Sequence, residues 1–379
     1  MTKTAKLAGV VVGTCSTRLW GLDGAERARR ILAKAGLAVV GAPPADAPAL
    51  LVRADWVVDG ALLGLLKAEE PGVALVATHK GTKVLLAAHV SAADAPATMA
   101  ALAAPAGGAA APAHLREIVH DPDGPPIYLH RLRKRLKPVV MPLEPTTVRA
   151  AEKATFKGSY KDVTDGVTKY LWPLPARHAT RWCAERGITP NMVTLVGFAL
   201  VFAAMWGFWE GLFALGLAAA WVMTFLDTVD GKLARCTLTF TRFGDVFDHG
   251  IDLISPPFWW WAWHVGCLKV GADYPLPELS LWVVLGGYVI LRLQEGLFKA
   301  LFGMHVHVWR RGDSLFRLIV ARRNPLLVIL TVAAILGQPG WGMAISAAWT
   351  AVSVLVHTVQ IAQALAVRRI QPVVSWLNR

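Results

Sequence analysis

Two patterns of apolar residues divide the chain near position 190. Before it, short runs rich in Val, Leu and Ala alternate with amphipathic stretches, which is typical of an α/β fold. We predict strands over 7–13, 49–58 and 73–90, and a helix over 23–35 that begins at the capping residue Asp23. The pattern therefore predicts a small cytosolic α/β domain over residues 1–140, followed by a linker and juxtamembrane helix over 141–190.

From residue 191 to 379, long apolar segments replace this alternation. Six of them are close to the length that a bilayer core requires of a helix: 192–211, 212–235, 244–266, 279–303, 324–340 and 341–365. The predicted fold class is an all-α six-helix transmembrane domain preceded by the small α/β domain. The apolar run at 8–13 is too short for a membrane span or a signal peptide, so the residues before the first span are expected to stay in the cytoplasm.

Composition and charge support a membrane protein. Hydrophobic residues make up 55% of the chain and charged residues 17%, with a mean hydropathy of +0.44. The net charge of +13 is consistent with nucleic acid or anionic lipid as partner. The cations lie largely beside apolar segments, which favours membrane lipid and argues against nucleic acid. The 304–323 loop has one acid and five arginines, which are Arg310, Arg311, Arg317, Arg322 and Arg323. We therefore expect this loop, both termini and the active site to be cytoplasmic.

Two further stretches bear on the domain organisation. Residues 92–113 form an Ala/Pro/Gly tract of low complexity. A cationic run follows at 131–137, and it is read either as a solvated helix face or as a contact for anionic lipid or substrate phosphate. The four cysteines form no CxxC pair, which argues against a disulfide framework or a zinc site.

The candidate chemistry lies in five aspartates within residues 227–252. An isolated aspartate near the centre of a spanning helix costs about 2.5–3.5 kcal/mol on insertion scales, so the cluster requires a compensating cation. Oxygen ligands alone favour magnesium, manganese or calcium over zinc. The aspartates are Asp227, Asp230, Asp245, Asp248 and Asp252.

The spacing of these residues brings them together. Asp227 and Asp230 are three residues apart and lie on one helix face, while Gly244, Asp248 and Asp252 recur every four residues along the next helix. The turn at 236–243 makes the two helices antiparallel neighbours, so the two stripes can face each other across a cleft.

The residues around the acids have two readings each. Gly231 and Ala234 leave room for a large ligand near the backbone, and Arg235 can pair with a phosphate. These small residues and Gly244 also suit plain helix packing, while Arg235 and Arg242 suit positive-inside anchoring. For Asp245 and His249 we favour a structural role. Asp245 suits a solvated helix start, and His249 suits packing.

The joint pattern resembles a family signature. Asp227, Asp230, Gly231, Ala234, Arg235, Gly244, Asp248 and Asp252 reproduce D-x2-D-G-x2-A-R-x8-G-x3-D-x3-D without departure, and this is similar to the CDP-alcohol phosphotransferase family. Thr189, Pro190 and Asn191, with Thr194 beyond, resemble the family's entry into its first span. The resemblance extends over about residues 160–379 and implies a homodimer in a bacterial or archaeal-type cell membrane.

The resemblance also implies the roles of the site residues. By this resemblance, Asp227, Asp230, Asp248 and Asp252 bind two metal ions, and their oxygen ligands suit Mg2+ or Mn2+ rather than zinc. Asp252 also serves as the catalytic general base. The CDP moiety contacts Asn191, Gly231, Ala234, Arg235, Thr241 and Gly244.

The implied reaction transfers a substituted phosphate group from a CDP-alcohol to an acceptor hydroxyl and releases CMP. The donor is a CDP-alcohol such as CDP-diacylglycerol or CDP-inositol. The acceptor is left open among a lipid alcohol, glycerol phosphate, inositol and inositol phosphate. Arg310 and Arg311 in the basic loop are the predicted contacts of an anionic acceptor. An ion-coupled transporter is the remote alternative, because intramembrane acids also mark ion paths.

The N-terminal stretch resembles a second family. Residues 10–19, from Val10 to the loop ending in Arg18 and Leu19, are similar to the first strand and loop of a sugar nucleotidyltransferase, as in bifunctional inositol-phosphate cytidylyltransferases fused to a di-inositol-phosphate synthase. The glycine-rich loop is reduced to Gly13, and Asp55 is the one plausible metal carboxylate. Bulky residues obstruct a phosphate cradle, so we expect a degenerate domain, with a bifunctional enzyme that makes its own CDP-alcohol as the alternative.

Overall fold

The N-terminal part of the chain is built on a mixed six-stranded sheet. The computed structural model describes residues 7–105, 110–129, 132–239 and 242–378, without the side chains of 129, 242, 243 and 245–249. The strands are β1 (Ala8–Val12), β2 (Ala38–Val40), β3 (Ala49–Arg53), β4 (Trp56–Val58), β5 (Val73–His79), β6 (Thr82–Val90), β7 (Arg116–His120), β8 (Ile127–Leu129), β9 (Lys134–Leu136) and β10 (Val140–Pro142). The helices among them are α1 (Gly24–Lys34), α2 (Gly60–Ala68) and α3 (Ala95–Ala103).

The sheet order is β2-β1-β3-β6-β5-β7. Strands β1, β2 and β3 run parallel, whereas β6 is antiparallel to both β3 and β5. Two shorter pairs, β4 with β10 and β8 with β9, lie outside this sheet. Residues just past position 140 are therefore hydrogen-bonded to the N-terminal part through β10.

The predicted elements of this part are present, with local differences. Helix α1 begins as predicted, with the Asp23 carboxylate accepting a hydrogen bond from the backbone N–H of Glu26 at 2.7 Å. The segment 73–90 forms two strands because Lys80 and Gly81 take positive φ angles of 48° and 80°, as a tight hairpin turn requires. The segment 49–58 is likewise two strands, β3 and β4. The cationic run forms strand β9 rather than a helix face, and Lys134 is buried.

Helices make up the rest of the chain. They are α4 (Val148–Ser159), α5 (Pro173–Glu185), α6 (Pro190–Trp209), α7 (Phe213–Cys236), α8 (Arg242–Lys269), α9 (Pro277–Phe302), α10 (Arg311–Phe316), α11 (Arg323–Ile335) and α12 (Pro339–Arg368). A helix occupies each of the six segments predicted to span the membrane. Four of them, α6, α7, α9 and α12, are long and apolar enough to cross a bilayer. Helix α11 has 13 residues, which gives it a length of about 20 Å.

Small residues allow the helices to pack closely at the end far from the N-terminal part. A Cβ on Gly266 of α8 would lie 1.9 Å from the carbonyl oxygen of Phe208 in α6, so only glycine fits there. Trp259 and Trp263 of α8 are fully buried beside this contact. Large apolar side chains on the outer surface, such as Leu293 at 66% exposure, face away from the core as lipid-facing residues do.

Candidate functional site

Asp227 and Asp230 lie in the last three turns of α7, on the face turned towards α6. The Thr194 hydroxyl of α6 donates a hydrogen bond to Asp230 Oδ2 at 2.6 Å, which explains the threonine beyond the Thr189 cap of that helix. Asp230 is 4% exposed, and its Oδ1 has no hydrogen-bond partner among the described residues. A buried carboxylate oxygen without a donor is costly, so this atom marks a place for a cation or a water.

Asp252 comes from α8, where the helix is locally interrupted. Pro256 and Pro257 lie within α8 and cannot donate to the carbonyls one turn earlier. The carbonyl oxygen of Leu253 accepts a hydrogen bond from the Tyr288 hydroxyl of α9 instead, at 2.8 Å. This hydrogen bond fastens α8 to α9 directly beside Asp252. The backbone of Asp248 is helical one turn before Asp252, while its side chain and the whole of Thr241 lie outside the described part.

Arg323, the first residue of α11, joins the two acidic helices. Its guanidinium donates to Asp227 Oδ2 at 2.6 Å and to Asp252 Oδ1 at 2.5 Å. In the sequence, Arg323 counts only as one more positive-inside charge of the basic loop. Its position at the start of an apolar segment indicated a helix end. It did not indicate the two partners, Asp252 and Asp227, which precede Arg323 by 71 and 96 residues.

A cavity of about 870 Å3 adjoins these residues. It lies at the end of the helix bundle nearest the N-terminal part, and Asp227, Asp230 and Asp252 share its wall. The predicted CDP contacts that the structure describes also line it: Asn191, Gly231, Ala234, Arg235 and Gly244. A volume of this size is typical of small-molecule sites. The sequence prediction and the geometry thus agree on which residues share one space.

Gly231 shows why a small residue stands in the signature. A Cβ at this position would lie 2.9 Å from a terminal nitrogen of the Arg235 guanidinium. The glycine lets this guanidinium fold back along α7 beside the acidic residues. A phosphate in the cavity would meet Arg235 within one helical turn of Gly231.

The cavity also has a cationic wall, formed by Arg133, Arg292, Arg317 and Arg322. In total, nine lysines and arginines but only five acids line the described cavity, so it favours anionic ligands. Sequence analysis missed Arg292 and gave Arg317 and Arg322 only a role in membrane orientation. Contact with substrate phosphate was one of its two interpretations of the run that contains Arg133. The residues come from a turn, helix α9 and a loop that are distant along the chain.

Glu295 organises part of the cationic wall. Its Oε2 pairs with Arg292 Nη1 at 3.2 Å and also with Arg322, and its Oε1 lies 3.1 Å from His307 Nε2. His307 and His357 are both buried, and the three residues have ligand atoms within 4.8 Å of one another, a spacing that suits a metal ion. This cluster has one carboxylate, which two guanidinium groups already share, whereas the acidic cluster has three carboxylates and one such arginine. The excess positive charge opposes a divalent cation, so we assign Glu295 and its histidines to holding the arginines.

The basic loop supplies different arginines from those predicted for the acceptor. Arg310 donates to Asp313 at 3.0 Å, and Arg311 stacks over Trp376 at 5.4 Å. Neither residue lines the cavity, whereas Arg317 and Arg322 from the same loop do. Helix α10 begins at Arg311 and turns the first two arginines away from the site.

Asp165 anchors the loop before α5 to the start of α11. It accepts hydrogen bonds from the Asn324 side chain and from the Thr168 backbone N–H, both at 3.0 Å. Burial alone would raise the pKa of Asp165, but the Arg317 guanidinium and these hydrogen bonds outweigh it and hold the pKa below its ordinary value. Asp165 therefore remains ionised and keeps Arg317 in the cavity wall.

The residues present fit the predicted metal ions. The acidic cluster of Asp227, Asp230 and Asp252 offers oxygen donors from two helices, and one of these oxygens is buried without a partner among the described residues. A second cavity of about 10 Å3 beside Asp227 and Asp230 has the size of one water or ion. Oxygen-only donors of this kind suit Mg2+ or Mn2+.

The loop that resembles a nucleotidyltransferase is packed against other parts of the chain. Cys15 in this loop contacts the Leu143 carbonyl oxygen at 3.3 Å. Asp55, the one plausible metal carboxylate of this domain, forms two hydrogen bonds with Arg53, at 2.6 and 2.9 Å. Gly13 keeps a positive φ of 81°.

Comparison with known proteins agrees with this geometry. Residues 187–355 match the sequence model of the family described as CDP-alcohol phosphatidyltransferase. The chain is 37% identical over 82 residues to archaetidylinositol phosphate synthase of Pyrococcus horikoshii. The aligned residues cover 21% of this chain and 43% of that protein. It is 30% identical over 160 residues to phosphatidylinositol phosphate synthase of Mycobacterium tuberculosis, covering 40% and 66%. It is 28% identical over 153 residues to the bifunctional IPC transferase and DIPP synthase of Rubrobacter xylanophilus, covering 40% and 32%.

Residues 187–355 therefore belong to the CDP-alcohol phosphatidyltransferase family, as the signature predicted. The matched region contains the acidic cluster, Arg235 and Arg323. Together with the four apolar helices, this membership identifies an integral membrane protein. The matches span between 32% and 66% of the length of these three relatives.

The buried His307 predicts a pH-dependent stability. Burial lowers the pKa of His307 well below its ordinary value, against the opposing attraction of Glu295. Below about pH 6.5 the unfolded chain binds a proton that the folded chain does not, so stability falls with pH by up to about 1.4 kcal/mol per unit. The thermal unfolding midpoint in detergent should therefore drop between pH 7 and pH 5, and His307→Gln should flatten this slope.

The control is His178→Gln, which changes an exposed histidine of α5. It should retain the slope of the unmodified protein. Equal slopes for the two variants would show that His307 is not the residue responsible.

Proposed function

We propose that this protein is a CDP-alcohol phosphotransferase that moves a substituted phosphate group from a CDP-alcohol to an acceptor hydroxyl and releases CMP. The observation that carries the proposal is the convergence of Asp227, Asp230 and Asp252 with Arg235 on one cavity. Acids alone would suit an ion path, but an arginine and small residues beside them suit a bound diphosphate.

The donor is placed by the residues of α6, α7 and α8. Ala234 and Gly244 leave backbone surface open for the cytidine and ribose, and Gly231 leaves room for the Arg235 guanidinium. Asn191 offers an amide at the entry of α6. Arg235 pairs with the diphosphate. These contacts hold the reacting phosphorus beside the acidic cluster, so that attack and departure take place in a fixed geometry.

Asp252 is the residue proposed to take the proton of the acceptor hydroxyl. The freed oxygen attacks the phosphorus attached to the donor alcohol, and the bond from this phosphorus to the CMP oxygen breaks. CMP leaves with the electron pair of that bond, and the proton remains on Asp252 until solvent removes it. No covalent enzyme intermediate is required, because both substrates can occupy the cavity together.

Asp227, Asp230, Asp248 and Asp252 are the residues that would hold Mg2+ or Mn2+ ions. When bound, such ions neutralise diphosphate charge and favour departure of CMP. Arg323 pairs with both Asp227 and Asp252, and Thr194 orients Asp230.

The base assignment predicts the effect of one isosteric change. Asp252→Asn keeps the size of the side chain and removes its ability to accept the proton, so CMP release should fall about 100-fold or more. The measurement is CMP release from CDP-diacylglycerol or CDP-inositol in detergent with Mg2+ and a panel of acceptors. The matched control is Asp273→Asn, in the turn before α9, which should leave the rate unchanged. Undiminished release in the Asp252→Asn protein would contradict the role of Asp252 as base.

The cationic wall favours a phosphorylated acceptor. Arg133, Arg317 and Arg322 line the same cavity as the acidic cluster, so they can hold a second anion while its hydroxyl reaches the donor. Relatives named for inositol phosphate products point the same way. We infer that the acceptor is an alcohol phosphate, with inositol phosphate as the first compound to test.

Two sets of arginine variants separate this acceptor site from the one predicted by sequence. Arg322→Ala and Arg133→Ala should raise the KM for inositol phosphate about 10- to 100-fold, because each removes a charged hydrogen bond, and should leave the KM for the CDP donor near its original value. Arg310→Ala and Arg311→Ala should change neither constant. If only Arg310→Ala and Arg311→Ala raised the KM for the acceptor, the acceptor site would lie at Arg310 and Arg311 as the sequence predicted.

The membrane arrangement follows from the position of the cavity. The cavity opens at the end of the bundle that carries the N-terminal part and the basic loop, so we infer that this end and both termini are cytoplasmic. All six predicted segments are taken to cross or enter the bilayer, with α8 and α11 in addition to α6, α7, α9 and α12. The homodimer implied by the family resemblance stays a prediction.

A further inference from the structure

The N-terminal part of the chain contacts the helix that carries the signature. Helix α7 ends at Cys236, and its last carbonyl groups have no partner within the helix. Arg27 Nη1 of α1 donates to the Cys236 carbonyl oxygen at 3.2 Å, and Arg30 Nη1 donates to that of Thr237 at 2.9 Å. Two arginines from the first 30 residues therefore cap a helix more than 200 residues later in the chain.

Contacts within the N-terminal part hold both arginines in the orientation in which they contact α7. Arg27 is 7% exposed, and Arg30 is fixed by Glu26, whose carboxylate accepts from Arg30 Nε at 2.7 Å. Positive charge at a helix C-terminus also complements the helix dipole. The contact is thus a rigid support for the last turn of α7.

Apolar contacts extend this support past the helix end. Leu238 has a positive φ of 58° and packs against the core of the N-terminal sheet. On the other side, the Trp20 indole donates to Thr155 of α4 at 2.9 Å. A Cβ on Gly21 would lie 2.5 Å from the Ala184 carbonyl oxygen of α5, which shows how closely this loop approaches the helices.

The position where an α/β sheet normally binds a ligand is covered by the same packing. Ligands of such sheets lie beyond the carboxyl ends of the parallel strands. Here the carboxyl end of β1 leads into Cys15, which contacts Leu143, and the Leu143 N–H donates to the Asp55 carbonyl oxygen at 2.8 Å. The linker thus lies against this end of the sheet.

We propose that the N-terminal domain is a positioning element for the donor site, acting through Arg27 and Arg30 on the last turn of α7. Arg235 directly precedes the capped residues Cys236 and Thr237, so the support fixes the guanidinium proposed to hold the donor diphosphate. The effect on donor binding rests on the proposed function, whereas the contact itself can be tested without activity.

The contact is tested by the reactivity of Cys236, which is 2% exposed at this joint. In the full-length protein in detergent, the double variant Arg27→Ala/Arg30→Ala should increase maleimide labelling of Cys236, located by mass spectrometry, about tenfold or more, because local opening exposes the thiol. Arg29→Ala is the matched control, since Arg29 lies on the same helix but pairs with Glu26 at the surface. Labelling that stays at the control rate would overturn the proposal.

The role in the donor site is tested by kinetics on the same proteins. The double variant should raise the KM for the CDP donor more than tenfold while the acceptor KM stays unchanged, and Arg27→Lys/Arg30→Lys should restore part of the donor affinity. If the double variant does not fold, Arg30→Gln alone carries the same test. Faster labelling with an unchanged donor KM would overturn the positioning role, and absence of CMP release from the unmodified protein would count against the proposed function instead.

Discussion

The site depends on how buried carboxylates are balanced by positive charge. Asp227, Asp230 and Asp252 lie at the end of apolar helices, where unpaired acids would be costly. Arg323 supplies one charge to two of them and so ties α7, α8 and α11 together. The same requirement recurs across the cavity, where Glu295 balances two arginines. Charge pairing, more than apolar packing, fixes the relative positions of the helix ends at the site.

Much of this arrangement could be predicted from sequence because the signature residues are close together in the chain. Helical spacing places Asp227 and Asp230 on one face, and a short turn makes the next helix antiparallel, so Gly244 and Asp252 must lie nearby. The capping of α1 by Asp23 was equally predictable, because its hydrogen-bond partner is only three residues away. The roles of Asp248 and Thr241 stay predictions, since the described structure does not include the side chain of the first or any part of the second.

The remainder depended on contacts between distant segments, which spacing does not encode. Arg323 and Arg322 are adjacent in the chain, but Arg323 pairs with the aspartates and Arg322 with Glu295. Nothing in the charge pattern distinguished them from Arg310. Arg133 belongs to a cationic run interpreted either as a solvated helix face or as a contact for lipid or substrate phosphate, whereas the structure places it in the turn before β9, which pairs with β8. Whether an arginine faces a cavity or the surface depends on the element that carries it. The positions of these elements depend on packing between segments that are distant in the chain.

The proline pair in α8 has a mechanical consequence. A helix transmits bending along its hydrogen-bond ladder, and Pro256 and Pro257 interrupt that ladder one turn beyond Asp252. The Tyr288 hydroxyl fastens the site side of this break to α9. Changes in bilayer thickness or tension that tilt the outer half of α8 are therefore absorbed at the prolines, and the distance between the carboxylates is insulated from the lipid.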